Sequence, residues 1–186
     1  MPKPPCRIEE GALAMTRWHL LNLPVIFDRP GSPTMHVVDV LLDWPEPQLV
    51  GFLLRRRWRT AVLPWSEETI MTPFGIKAGS NSQLEHWSRR RIRTHLSKTA
   101  TWIHAPVVDS NDQAVGVVRD LMLDSHHPTL QGLVLSRGLL LDLWAGSPII
   151  STDDIDIGNQ RCIKLHYSGD TLGVRDSTRG GGMWTL

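Results

Sequence analysis

The chain has 186 residues, with 20 Lys and Arg against 19 Asp and Glu and a formal net charge of +1, so no global field dictates a partner. Cys6 and Cys162 lie far apart without a Cys-x-x-Cys, which argues against a disulfide framework, a thiolate metal site or a redox pair and fits a reduced compartment. The N-terminus, Met1-Pro2-Lys3-Pro4-Pro5, lacks the apolar run of a signal peptide, and no stretch approaches the roughly 18 apolar residues that span a bilayer. A soluble, cytoplasmic protein is expected.

In chain order, residues 1–14 are Pro-rich and then acidic and are expected to be disordered. Residues 20–28 form a strand candidate that runs into a turn at Arg29-Pro30-Gly31-Ser32. Val37 to Leu42 is aliphatic and β-branched and reads as a strand. Residues 43–48, with Pro45 and Pro47, connect it to a returning strand, Leu49 to Leu54. Ala61 to Trp65 is a further strand, residues 66–70 read as a turn, and a last short strand falls near Ile76. Short strands separated by turn signals predict an all-β barrel or sandwich.

Ser82-Gln83-Leu84-Glu85 has the pattern of a capping box, and Leu84, Trp87, Ile92 and Leu96 fall close to one helical face. A helix is therefore predicted over residues 83–97, with Arg89, Arg90 and Arg93 mostly off that face.

The strand plan then recurs. Val37-Val38-Asp39-Val40-Leu41-Leu42-Asp43 is matched by Val118-Arg119-Asp120-Leu121-Met122-Leu123-Asp124, and 120 − 39 = 81. At the same offset Asp28 meets Asp109, Pro47 meets Pro128, Gly51 meets Gly132 and Arg56 meets Arg137. Beyond Arg137 the offset grows, placing Ile155 against Ile70. Two copies are too few for a solenoid, so the repeat reads as a tandem pair of small domains. The tail from residue 168, with Gly180-Gly181-Gly182, is expected to be unstructured.

The motifs Ala105-Pro106-Val107-Val108-Asp109, Gly116-Val117-Val118-Arg119-Asp120 and Gly132-Leu133-Val134-Leu135 resemble the PRC-barrel family, as does the closing run from Ile149 to Ile155. That family includes the photosynthetic reaction-centre H subunit and the C-terminal half of the ribosome maturation factor RimM. In the first copy Met35 stands where the second has Gly116, and Glu68-Thr69-Ile70 stands where the second has Asp153-Asp154-Ile155. The resemblance implies two tandem PRC-type β-barrels joined by a short basic amphipathic helix: residues 15–79, a linker over 80–100, then 101–167. It implies docking rather than catalysis.

Asp39, Asp43, Gly51, Asp120, Asp124 and Gly132 occur in both copies and read as fold-defining. An Asp inside an apolar strand could be a catalytic acid, but a carboxylate that accepts backbone or Arg hydrogen bonds explains a duplicated position better. His126-His127 has no further ligand close in sequence and reads as an exposed hairpin loop rather than a metal site. No nucleophile elbow and no phosphate loop is found, so no enzyme activity, metal or cofactor is expected.

Positions unique to one copy are the candidates for partner binding. They are Arg55, Arg57, Trp58 and Arg59 in the first copy and Leu139, Leu141 and Trp144 in the second, with Arg89, Arg90 and Arg93 on the helix. Arginines with an interleaved Trp suit phosphate contacts and stacking. An apolar segment with a Trp suits protein docking or core packing. The expected function is a protein-interaction or adaptor module whose partner is another protein or complex. The rivals are an RNA- or ribosome-associated maturation factor and a cytoplasmic-face accessory, in peripheral contact with the membrane, of an electron-transfer complex.

Overall fold

The structure is a computed structural model, and it describes residues 14–28, 31, 34–43, 48–79, 84–138, 142, 146–156 and 162–167. The strands are β1 (Ala14–Thr16), β2 (Pro24–Phe27), β3 (Met35–Leu42), β4 (Leu49–Arg56), β5 (Arg59–Pro64), β6 (Ile70–Thr72), β7 (Gly75–Ala78), β8 (Pro106–Val108), β9 (Ala114–Asp124), β10 (Leu130–Ser136), β11 (Ile149–Ser151), β12 (Ile155–Asp156) and β13 (Ile163–Leu165). The helices are α1 (Arg17–Leu20) and α2 (Arg89–Trp102), with a 3-10 turn at Thr152–Asp154. No helix among the described residues is long and apolar enough to cross a membrane.

The fold is mostly β, in two sheets of one plan. The first runs β5-β4-β3-β2-β7-β6 and the second β11-β10-β9-β8-β13-β12, with β1 added on β9. Each sheet is antiparallel except where β7 lies parallel to β2 and β13 parallel to β8. Among the described residues no strand pairing joins β5 to β6 or β11 to β12.

The repeat extends to the irregularities. Val37 pairs with Leu54 and Asp39 with Leu53, which leaves Val38 over. Val118 pairs with Leu135 and Asp120 with Val134, which leaves Arg119 over, and 38 + 81 = 119. A second slip leaves Val50 and Gln131 unmatched, again 81 apart. An extra residue in one strand bends it and raises its twist, so both sheets curl at the same places. Gly51 and Gly132 serve the same curvature. A Cβ built on Gly132 would lie 2.5 Å from the Ile150 backbone oxygen, and one on Gly51 would press on Leu63 O and sit 2.9 Å from Pro64 Cα.

Side chains alternate across each strand. In the first sheet Val40, Leu42, Phe52, Leu54, Ala61 and Leu63 face inward, into one apolar cluster that also takes in Val107, Val118, Leu121, Leu133 and Leu135 of the second. Leu41, Leu53 and Val62 face the other way and are covered by Trp87, Ile92 and Leu96.

The segment before each set of strands lies on the other sheet. β1 precedes β2 but pairs with β9, Met15 opposite Leu123. α2 precedes β8 but packs on β3: Thr99 Oγ1 donates to Val40 O at 3.3 Å, and His95 Nδ1 lies 2.8 Å from Leu42 O. Both segments then turn through a residue of positive φ, Asn22 and His104, each at +68°. Asn22 N donates to Val37 O and His104 N to Val118 O, both at 2.8 Å.

Several sequence expectations need correction. Ala14, expected to end a disordered N-terminus, opens β1 opposite Asp124. The predicted helix over 83–97 is observed at Arg89–Trp102, with Ser88 as its N-cap, Oγ accepting from Arg91 N at 3.2 Å. Glu85 is not part of a capping box, because its N–H and C=O exchange hydrogen bonds with Val62 on the open edge of β5, and its carboxylate accepts from Trp87 Nε1. Residues 20–23 are not strand: Leu20 ends α1 and is fully buried, and the chain turns before β2. Ile70, read as turn, opens β6, whose partner β7 supplies its hydrogen bonds.

Candidate docking surfaces

The β4–β5 hairpin ends in a two-residue turn, Arg57-Trp58, between Arg56 and its partner Arg59. Arg57 takes φ +52°, the left-handed region of the backbone that a two-residue hairpin turn uses to match the right-handed twist of its strands. Residues 55–60 are all exposed, and Trp58 is 81% accessible. His36 lies beside Arg55 on the neighbouring strand.

Glu85 makes an antiparallel bridge with Val62 on the edge of β5, and Trp87 then packs on Leu41, Leu53 and Val62. Two exposed arginine groups therefore stand on the first copy, Arg55, Arg56, Arg57 and Arg59 on the hairpin and Arg89, Arg90, Arg91 and Arg93 on α2. Arg91, which sequence reasoning passed over, stacks on Trp87 with its guanidinium carbon 3.5 Å from the ring centroid. α2 contains no Asp or Glu, and its first turn opposes its own dipole with three arginines. Arg90, Arg93, Thr94, Ser97 and Lys98 line an open groove along its outer side.

The opposite end of the first sheet faces the second. Leu49 N donates to Pro128 O at 2.8 Å and Met71 N to Ser125 O at 3.0 Å. The hairpin tip is therefore the end of β4 and β5 remote from this contact, whereas α2 is held near it by His95 on Leu42 O and Lys98 on Asp43.

A second surface is visible only when the copies are superposed by strand pairing. Lys77 on β7 stands between Ile26 on β2 and Ile70 on β6. Its counterpart Lys164 stands between Val108 and Asp156. Ile70 thus corresponds to Asp156 rather than to Ile155, and Ile155 is buried as Thr69 is. Ile26 is 49% and Ile70 37% exposed, and Phe74, at the turn joining β6 to β7, is 85% exposed. These exposed apolar side chains were missed because the offset expected from sequence is one residue short at β6.

The duplicated carboxylates are engaged. Asp39 accepts Arg17 Nε and Nη2 at 2.8 and 2.9 Å and its neighbour Val40 N at 2.8 Å. Asp120 accepts Trp18 N at 3.0 Å and its neighbour Leu121 N at 2.8 Å. Both oxygens of each are used, which matches a part in holding α1 between the sheets. Asp43 pairs with Lys98 of α2. Asp124 accepts His126 N, His127 N and Gln131 Nε2. Burial pushes its pKa up, but these hydrogen bonds and the His127 charge outweigh it and hold the carboxyl below its ordinary value.

His126 and His127 are exposed, with His127 Nδ1 3.3 Å from Asp124 Oδ1. Among the described residues no group of three or more His, Cys, Asp or Glu gathers as a metal site. Leu139, Leu141 and Trp144 lie outside the described residues. Of that segment Asp142 alone is described, accepting Ser136 Oγ and Arg137 N.

The sequence matches no family model and no curated protein.

Proposed function

We propose that the chain is a non-enzymatic adaptor built from two tandem PRC-type barrels, each sheet curling toward closure at its paired bulges, with a protein as its partner. The observation that carries this reading is the exposed pair Ile26 and Ile70, which flank Lys77, with Phe74 exposed at the turn that follows β6. The second copy has Asp156 where the first has Ile70. A shared fold needs no such difference, since the same strands assemble with the carboxylate in place. Exposed aliphatic and aromatic side chains gathered on a rigid sheet are what a protein interface uses as anchors.

The test is affinity capture by the tagged full chain, compared with a Phe74→Ser/Ile70→Asp variant that writes the second copy's residue into the first. The variant is expected to keep its thermal midpoint, because both side chains are exposed, and to lose the captured protein. Retention of the same proteins by the variant would overturn the reading.

A further inference from the structure

We propose that the arginine-rich tip of the β4–β5 hairpin is a docking site for the surface of an anionic bilayer. The tip supplies Arg55, Arg56, Arg57 and Arg59, all exposed, around Trp58. Guanidinium forks suit phosphate oxygens, and basic side chains held near an anionic leaflet add their attractions.

Three features favour a flat surface over a nucleic-acid strand. Trp58, 81% accessible, sits on a two-residue tip, where it can enter the headgroup layer as an interfacial Trp does. The net charge is only +1, with a balance of 14 − 9 = +5 over residues 1–100 and 6 − 10 = −4 over residues 101–186. A long polyanion would meet both halves, whereas a plane meets one pole and leaves the acidic half turned away. The hairpin tip is also the end of β4 and β5 remote from the contacts of Leu49 and Met71 with the second copy, so it projects away from the second sheet.

The experiment is co-sedimentation of the full chain with vesicles of phosphatidylcholine alone or with roughly a third phosphatidylserine. A single-stranded uridine homopolymer serves as the nucleic-acid arm. The chain is expected to bind the anionic vesicles at least about tenfold better than the neutral ones, less so with added salt. Arg55, Arg57 and Arg59 changed together to Gln should abolish the preference, and Trp58→Ser should weaken binding several-fold, both with unaltered far-UV circular dichroism. Equal binding to both vesicles, or binding to the homopolymer with none to vesicles, would overturn the proposal.

Discussion

Gln48 and Thr129 pair with each other in an antiparallel bridge, and 129 − 48 = 81. Each is the other's counterpart in the repeat. A contact between equivalent residues is what a two-fold relation produces, here within one chain rather than between two. The exchange of leading segments follows the same logic: β1 lies on β9 and α2 lies on β3, so neither sheet is completed by its own preceding segment.

The Arg17–Asp39 pair ties α1 to the first sheet while Trp18 N ties it to Asp120 in the second. Both Arg17 and Asp39 side chains are 20% accessible, between the buried and surface regimes. Arg17→Ala should therefore lower stability by about 1–2 kcal/mol, more than an exposed pair and less than a fully buried one. Urea unfolding of wild type and variant measures it. A double-mutant cycle with Asp39→Ala should show that the two losses are not additive.

Gly132→Val places a branched side chain against the Ile150 backbone oxygen, which cannot swing aside as a side chain would. The expected loss is on the order of 1–3 kcal/mol, read as a lower urea midpoint. Gly51→Val should behave alike, since Leu63 O and Pro64 Cα hold the corresponding place.

Asp124 has a folded-state pKa below its ordinary value. A group depressed on folding contributes stability that is complete above the unfolded pKa, about 4, and is lost as pH falls through the folded value. Asp124→Asn should thus cost about 1–2 kcal/mol at neutral pH, with the gap to wild type narrowing as pH drops below about 4. Urea midpoints of both proteins at the two pH values test the sign.

Ser88 is the cap of α2, so Ser88→Ala should destabilise by about 1 kcal/mol. Ile92→Ser and Leu96→Ser strip the helix of its contacts with Leu41, Leu53 and Val62 and should cost more, about 1–3 kcal/mol each. Thermal denaturation followed at a helix wavelength ranks the three. A helix of this length draws most of its stability from such packing, so the packing variants should rank below the cap variant.

The sequence by itself determined the duplication, the long strands β3, β4, β9 and β10, and the special places of Asp39, Asp120, Gly51 and Gly132. These signals are local: alternation along a strand and identity at one offset survive in a string of letters. Tertiary structure alone decided the rest. β1 is three residues whose hydrogen bonds come from Leu123 and its neighbours, over a hundred positions away, and nothing local marks it. Glu85 looked like the acidic member of a capping box because the open edge of β5 that claims its backbone is invisible in sequence. Ile70 could be matched with Asp156 only through the lysines that each strand faces, because an insertion shifts the offset and pairing geometry, not spacing, restores it.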